Sequence, residues 1–304
     1  MDQLFSDVCT DDYENSRCDP EIVIDEISVD AVNKDADTQH LYNSCNHWIN
    51  GVPDNYKEIV DKTLTKEWVD EFHAFYSVLN INAYDLRWMK EAANVSFHTG
   101  TLSRLHREEI DDTVTKYSKL IGHLFDGTKY FVRADNVSLK EGIHGAGPYT
   151  TIKQIIESLI TCKETHTPIY DGVTHIKLYL LPWIEIDPNK EFRVFVHDGN
   201  ITAISQQHLY VKNNILARIE NSEEKNTVVR DWVRTIVDYF NKHIKHKIKV
   251  KSFCMDIALT EDIYFIEINP FGGEYSAGSS LFHWMIDNDK LCSNGSKIYC
   301  RYAV

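Results

Sequence analysis

Residues 252–271 read SFCMDIALTEDIYFIEINPF, two apolar runs rich in β-branched and aromatic residues on either side of Thr260-Glu261-Asp262. That is the pattern of a β-hairpin. The first run carries Asp256 in its interior, and the second carries Glu267 and Asn269. An unpaired carboxylate in an apolar interior is strongly unfavourable. Any fold of these strands must therefore turn the three side chains to water or set something cationic among them. Pairing across the turn brings Asp256 near Glu267, while Glu267 and Asn269, two residues apart, share one face of their strand. Hard oxygen donors of mixed carboxylate and carboxamide type suit magnesium or manganese, not zinc. Magnesium characteristically joins protein carboxylates to phosphate oxygens, so the implied partner is a nucleoside triphosphate. The alternative is an amphipathic strand whose Glu267 and Asn269 face solvent. The neighbours Phe265, Ile266, Ile268 and Phe271 leave little polar company for that.

Composition narrows the rest. The chain has 304 residues, 43% hydrophobic and 26% charged, with a formal net charge of −14. Such a balance is ordinary for a soluble globular protein. So acidic a surface repels nucleic acid and anionic membrane, and neither is expected as a partner. No apolar stretch is long enough to span a bilayer, and the acidic start MDQLFSDVCTDDYENSRCDPE has no apolar signal core. Seven cysteines are scattered without a CxxC pair, which predicts reduced thiols and a cytoplasmic location. Fourteen histidines form neither HExxH nor His-x-His, so no histidine metal site is expected.

Along the chain, residues 1 to about 40 are polar and acidic and read as a loose or peripherally packed segment. Trp68, Val69, Phe72, Phe75, Tyr76 and Leu79 recur at helical spacing and predict helix across 56–80; Ile110, Val114, Tyr117, Ile121 and Leu124 predict another across 107–125. A strand over 128–135 leads into a glycine-rich stretch, 138–150, expected to be a flexible loop. Ile152, Ile155, Ile156, Leu159 and Ile160 predict a helix capped by Thr150 or Thr151. A strand over 174–186, a hairpin over 191–207 turning at Asp198-Gly199-Asn200, and an amphipathic helix over 226–244 follow. Helices mixed with antiparallel hairpins indicate an α+β architecture.

Candidates for phosphate contact are Arg133 on its strand, Lys140 at the loop entrance, the glycines of 142–147, and Arg193. By the period of a strand Arg193 shares its face with Glu191. The pair is either part of a nucleotide site or a surface ion pair worth at most about 1 kcal/mol. Lys177 either meets adenine or the α-phosphate or faces solvent.

The segments YFVRADNVSLKEG, LPWIEIDPNKEFRVFVHDGNITAISQ, MDIALTEDIYFIEINPFG and SSLFHW stand in the order found in ATP-grasp proteins. More narrowly, they resemble the cell-division-cycle chaperones that assemble eukaryotic translation initiation factor 2. The resemblance spans about 128–290 and implies two lobes with antiparallel sheets clasping ATP. On this view residues 1–125 form a partly helical N-terminal region and 126–304 the ATP-grasp core. Residues 181–186 would be the hinge against adenine, lined by Trp183 and Ile184. Arg193 would contact phosphate, with Glu191 beside it, and Asp256, Glu267 and Asn269 would hold Mg²⁺. Two positions depart from the family pattern. Arg133 stands where a lysine is usual, and Pro182 where a basic residue precedes the tryptophan. The resemblance leaves two functions open. One is ATP-dependent assembly, with an initiation factor 2 subunit or another protein as partner. The other is carboxylate–amine ligation through an acyl phosphate. Either way, Asp256→Ala or Asn269→Ala is expected to weaken Mg-ATP binding without unfolding the chain.

Overall fold

Alternating apolar side chains build two sheets in the computed structural model, which describes residues 20–36, 41–44, 51–99 and 101–304. The strands are β1 (Glu21–Ile27), β2 (Ser77–Ile81), β3 (Tyr130–Arg133), β4 (Ile176–Pro182), β5 (Glu191–His197), β6 (Asn200–Gln206), β7 (Phe253–Leu259), β8 (Ile263–Pro270) and β9 (Lys297–Ala303). A small antiparallel sheet has the order β2-β4-β3, and a large one the order β1-β9-β6-β5-β7-β8. The large sheet is built from the hairpins β5–β6 and β7–β8, with β9 adding parallel pairings to β6 and β1. The β5–β6 turn has positive φ at both Asp198 (47°) and Gly199 (75°). That is the type I′ geometry an Asp-Gly pair selects.

One face of the large sheet, with Phe192, Val194, Met255, Ile257 and Ile268, packs on Val229, Val233 and Ile236 of the Ser222–Tyr239 helix. Trp68, Val69 and Phe72 extend this core to Tyr179 and Leu181 of the small sheet. The other face of the small sheet buries Leu79, Ile81, Val132, Leu178 and Leu180 against the helices Ala83–Thr99, Arg107–Ile121 and Ile152–Thr161. Thr151 caps the last of these in a capping box with Gln154. Ala83–Thr99 starts from Asn82, whose Oδ1 accepts from the Tyr84 and Asp85 amides at 2.9 and 3.0 Å.

The stretch 56–80 is not one helix. Tyr56–Thr63 is helical, Leu64 leaves the helix at φ −61°, ψ 150°, and Val69–Phe72 forms a further short turn. Residues 77–81 then become β2, paired along β4. Sheet pairing that buries Leu79 and Ile81 overrides the helical spacing, and Phe75, expected on the apolar face, is 80% exposed. The N-terminal segment reads differently too: β1 pairs with β9 at the edge of the large sheet, while residues 1–19 and 37–40 lie outside the described residues. Among the described residues, the first 125 thus supply one strand to each sheet. Among the described residues no helix is long and apolar enough to cross a membrane.

His73 makes a pH-dependent contribution to this core. Burial, reinforced by the charge of Arg133, holds its imidazole down to about 4 from an ordinary 6.5. Between those values the unfolded chain takes up a proton that the folded chain refuses, so this contribution to stability is present above pH 6.5 and is lost as pH falls towards 4. The wild type should therefore lose about 3 kcal/mol relative to His73→Phe over that interval. Denaturant unfolding of both proteins at pH 7 and pH 4 checks it; parallel pH profiles would contradict it.

Candidate nucleotide and metal site

Strand alternation sends Arg193, Asp256 and Glu267 to the sheet face opposite the Ser222–Tyr239 helix. The registers Arg193↔Asp256 and Asp256↔Glu267 set them in one row across β5, β7 and β8. A register shift follows Asp256, and such irregularities re-aim side chains locally. Arg193 grips Asp256 with both forks, Nε to Oδ1 at 2.8 Å and Nη2 to Oδ2 at 2.7 Å, and donates from Nη1 to the Gly278 carbonyl at 2.8 Å. Gln207 Nε2 donates to the same Asp256 Oδ2 at 3.2 Å. On β8, Glu267 Oε1 accepts from Asn269 Nδ2 at 3.2 Å.

The small sheet closes the cluster through Arg133. Its Nη1 donates to Glu267 Oε2 at 2.8 Å and its Nε to Thr65 Oγ1 at 2.8 Å. Its guanidinium lies 4.9 Å from the Trp68 ring centroid. The three oxygen-bearing side chains therefore do converge, and the cations beside them are Arg193 and Arg133.

Burial dominates the electrostatics. It pushes the Asp256 carboxyl up to about 6, against the pull of Arg193. Burial also works against Glu267, but Arg133, Lys140 and Arg193 outweigh it and hold that carboxyl down to about 2. The buried Asp256 and the half-buried Glu267 beside it thus differ in proton affinity because only Glu267 faces three cations. Burial opposes the charge on Arg193, yet Asp256 holds its guanidinium above the ordinary range.

Other candidates fall elsewhere. Glu191 pairs with His208 at 2.8 Å and not with Arg193, because the β5–β7 register hands Arg193 to Asp256. Lys177 is exposed on β4, 5.2 Å from the Tyr179 ring, on the face that carries Arg133 and Leu181. Trp183 and Ile184 are half-buried just past β4, with the Trp183 amide donating to the Lys129 carbonyl at 2.9 Å. Lys140 is exposed at the start of the glycine-rich stretch.

That stretch is not a free loop. A Cβ on Gly142 would stand 2.5 Å from the Ser158 carbonyl oxygen, so only glycine lets the chain lie this close to the Ile152–Thr161 helix. Ile143 N donates to Thr161 Oγ1 at 2.9 Å and His144 N to Ser158 Oγ at 3.3 Å. The Gly142 and Gly145 amides are spent on Leu139 and Gly142 carbonyls, both at 2.9 Å. The amides of residues 142–145 are thus committed within the protein, which removes them as a backbone cradle for phosphate and leaves Lys140. Trp68 and Thr65 belong to the cluster but carry no motif signal, and Gln207 carries only a hint, as the second of two amides at the end of β6.

The D123 family model matches residues 151–298, which includes Arg193 and all three oxygen donors. The solved structure of Cdc123 from Schizosaccharomyces pombe superposes with a TM-score of 0.55 at 16% identity, over 81% of this chain and 97% of that one. The chain has a Cdc123-like fold. Among curated relatives, the translation initiation factor eIF2 assembly protein of Candida albicans is 34% identical over 116 residues, 38% of this chain and 31% of that protein. A CDC123-like protein of Acanthamoeba polyphaga mimivirus is 27% identical over 198 residues, 58% of this chain and 53% of that protein. The matched stretches thus span about a third to a half of these relatives. Arg133 and Lys140 precede the D123 match, so the matched stretch holds the metal-ligand candidates while the small sheet supplies the bridging arginine.

Proposed function

We propose that the chain binds Mg-ATP between its two sheets and serves as an ATP-dependent assembly chaperone for a translation initiation factor in the cytoplasm. The observation that carries the nucleotide half is the row Arg193–Asp256–Glu267, with Asn269 beside it and Arg133 reaching it from the other sheet. The donor set fits magnesium. Both carboxylates are oxygen donors with lone pairs left after their arginine contacts, and the Asn269 carboxamide turns oxygen or nitrogen inward with equal ease. Asp256, Glu267 and Asn269 would hold the ion, which supplies the charge that joins carboxylate to phosphate oxygens. Arg193, fixed by Asp256 and the Gly278 carbonyl, and Lys140 offer further positive charge to a polyphosphate. Lys177, Leu181, Trp183 and Ile184 line the β4 side on which a base would rest.

Two observations support assembly over ligation. Matched relatives are named as eIF2 assembly proteins, which points to an initiation factor 2 subunit as partner. A net charge of −14 favours a basic protein partner.

Asn269→Ala is the clean test, because it removes an oxygen donor and leaves both arginine pairs intact. Calorimetry should show Mg-dependent ATP affinity reduced by about tenfold or more, with the unfolding transition in place. Unchanged affinity would contradict the site. Pull-down of an initiation factor 2 subunit in the presence of Mg-ATP tests the assembly half, and failure both with and without nucleotide would contradict it.

A further inference from the structure

His166 ends the short turn Glu164–His166 between the Ile152–Thr161 helix and β4. Neither the family resemblance nor the row of carboxylates draws attention to it. Its place is nonetheless set by the site. The Lys163–Glu141 ion pair at 2.6 Å ties the start of this turn to the residue after Lys140. The His166 amide donates to the Lys163 carbonyl at 2.8 Å, which closes the turn. Gly142 against Ser158 and Ile143 against Thr161 fasten the other side of the same seam. The turn carrying His166 is thereby stitched to the loop carrying Lys140.

The ring nitrogen Nε2 of His166 is buried and has no hydrogen-bond partner within the chain. A buried polar atom without a partner is uncommon in a folded protein and signals a ligand, a water or a role in chemistry. The charges of Lys140, Glu267, Glu141 and Arg133 all act on this ring, and the Lys163–Glu141 pair holds its turn against the loop that carries Lys140. Burial, with Lys140 next, lowers its proton affinity, which favours the neutral ring at neutral pH. A neutral imidazole protonated on Nε2 is a hydrogen-bond donor that adds no charge to an already cationic corner.

We propose that His166 is a ligand-contacting residue, its Nε2–H donating to an oxygen of the terminal phosphate of a nucleoside triphosphate held between Lys140 and Glu267. The inference rests on the nucleotide reading above and adds to it a residue that distinguishes triphosphate from diphosphate.

The test uses the full chain and measures Mg-ATP and Mg-ADP binding by calorimetry for the wild type, His166→Ala and His166→Gln. A hydrogen bond to a charged group is worth about 1.5–3 kcal/mol, so His166→Ala should weaken Mg-ATP by about ten- to a hundredfold, with Mg-ADP much less affected. His166→Gln retains a donor of similar reach and should recover most of the loss. It also guards against a folding defect in the alanine variant. In the wild type, Mg-ATP but not Mg-ADP should shift the Nε2 resonance of His166. Equal Mg-ATP affinity in wild type and His166→Ala, or equal losses for ATP and ADP, would overturn this assignment and leave the nucleotide reading standing. A wild-type chain that binds no Mg-ATP at all would overturn both.

Discussion

Asp256→Ala should lower the free energy of unfolding by about 3–5 kcal/mol, the cost of leaving a buried ionic partner alone. Arg193 is the partner, with its side chain 11% exposed and two of its three nitrogens bonded to Asp256. Without that carboxylate the guanidinium keeps only the Gly278 carbonyl. The expectation from sequence, that Asp256→Ala weakens Mg-ATP binding without unfolding the chain, gains a stability loss beside it, because the residue that would hold the metal also pairs with the buried Arg193. The double variant Arg193→Met/Asp256→Leu removes both charges together and should be less destabilised than Asp256→Ala alone, because no uncompensated charge remains. Urea unfolding of the three proteins decides the point. A loss below about 1 kcal/mol for Asp256→Ala would place the pair in the class of solvated surface bridges.

Trp68→Ala should cost about as much, roughly 3–5 kcal/mol, for a different reason. Trp68 is 1% exposed and sits edge-on to Phe265 of β8 at 5.3 Å. Its indole N–H donates to the Thr63 carbonyl at 3.2 Å. The loss combines transfer of a large ring with the cavity left between the sheets. The same ring supports Arg133 from 4.9 Å, so its removal frees the arginine that holds Glu267 down to about 2. The Glu267 carboxyl should then titrate higher in a carbon-13 NMR titration. Trp68→Phe, which fills most of the space, should show a smaller loss on both counts. A Trp68→Ala protein of wild-type stability would show that this ring does not join the sheets.

The site residues on β5, β7 and β8 were legible because strand periodicity is strict. Once Thr260-Glu261-Asp262 is a turn, Asp256 must approach Glu267, and Asn269 must follow Glu267 on one side. The hairpin at Asp198-Gly199 and the cap at Thr151 were legible for the same local reason. What sequence could not supply was pairing between distant strands. Arg193 had two neighbours to choose from, Glu191 two residues away and Asp256 sixty-three away, and only the β5–β7 register selects the second. The same limit explains β2, where Leu79 continues a helical spacing that sheet pairing with β4 overrules. The parallel pairing of β1 with β9 joins residues from opposite ends of the chain, and no local pattern announces it. The glycine-rich stretch misled in another way. Gly142 serves close packing against Ser158, and the amides of residues 142–145 are spent inside the protein.

The most direct test is a crystal structure of the chain with manganese in place of magnesium and a non-hydrolysable ATP analogue, with the ion placed by its anomalous signal. The predicted result is one manganese among Asp256, Glu267 and Asn269, in contact with the phosphate tail that runs between Arg193 and Lys140. A bound analogue with its metal elsewhere, or with Glu267 and Asn269 turned away from it, would contradict the account.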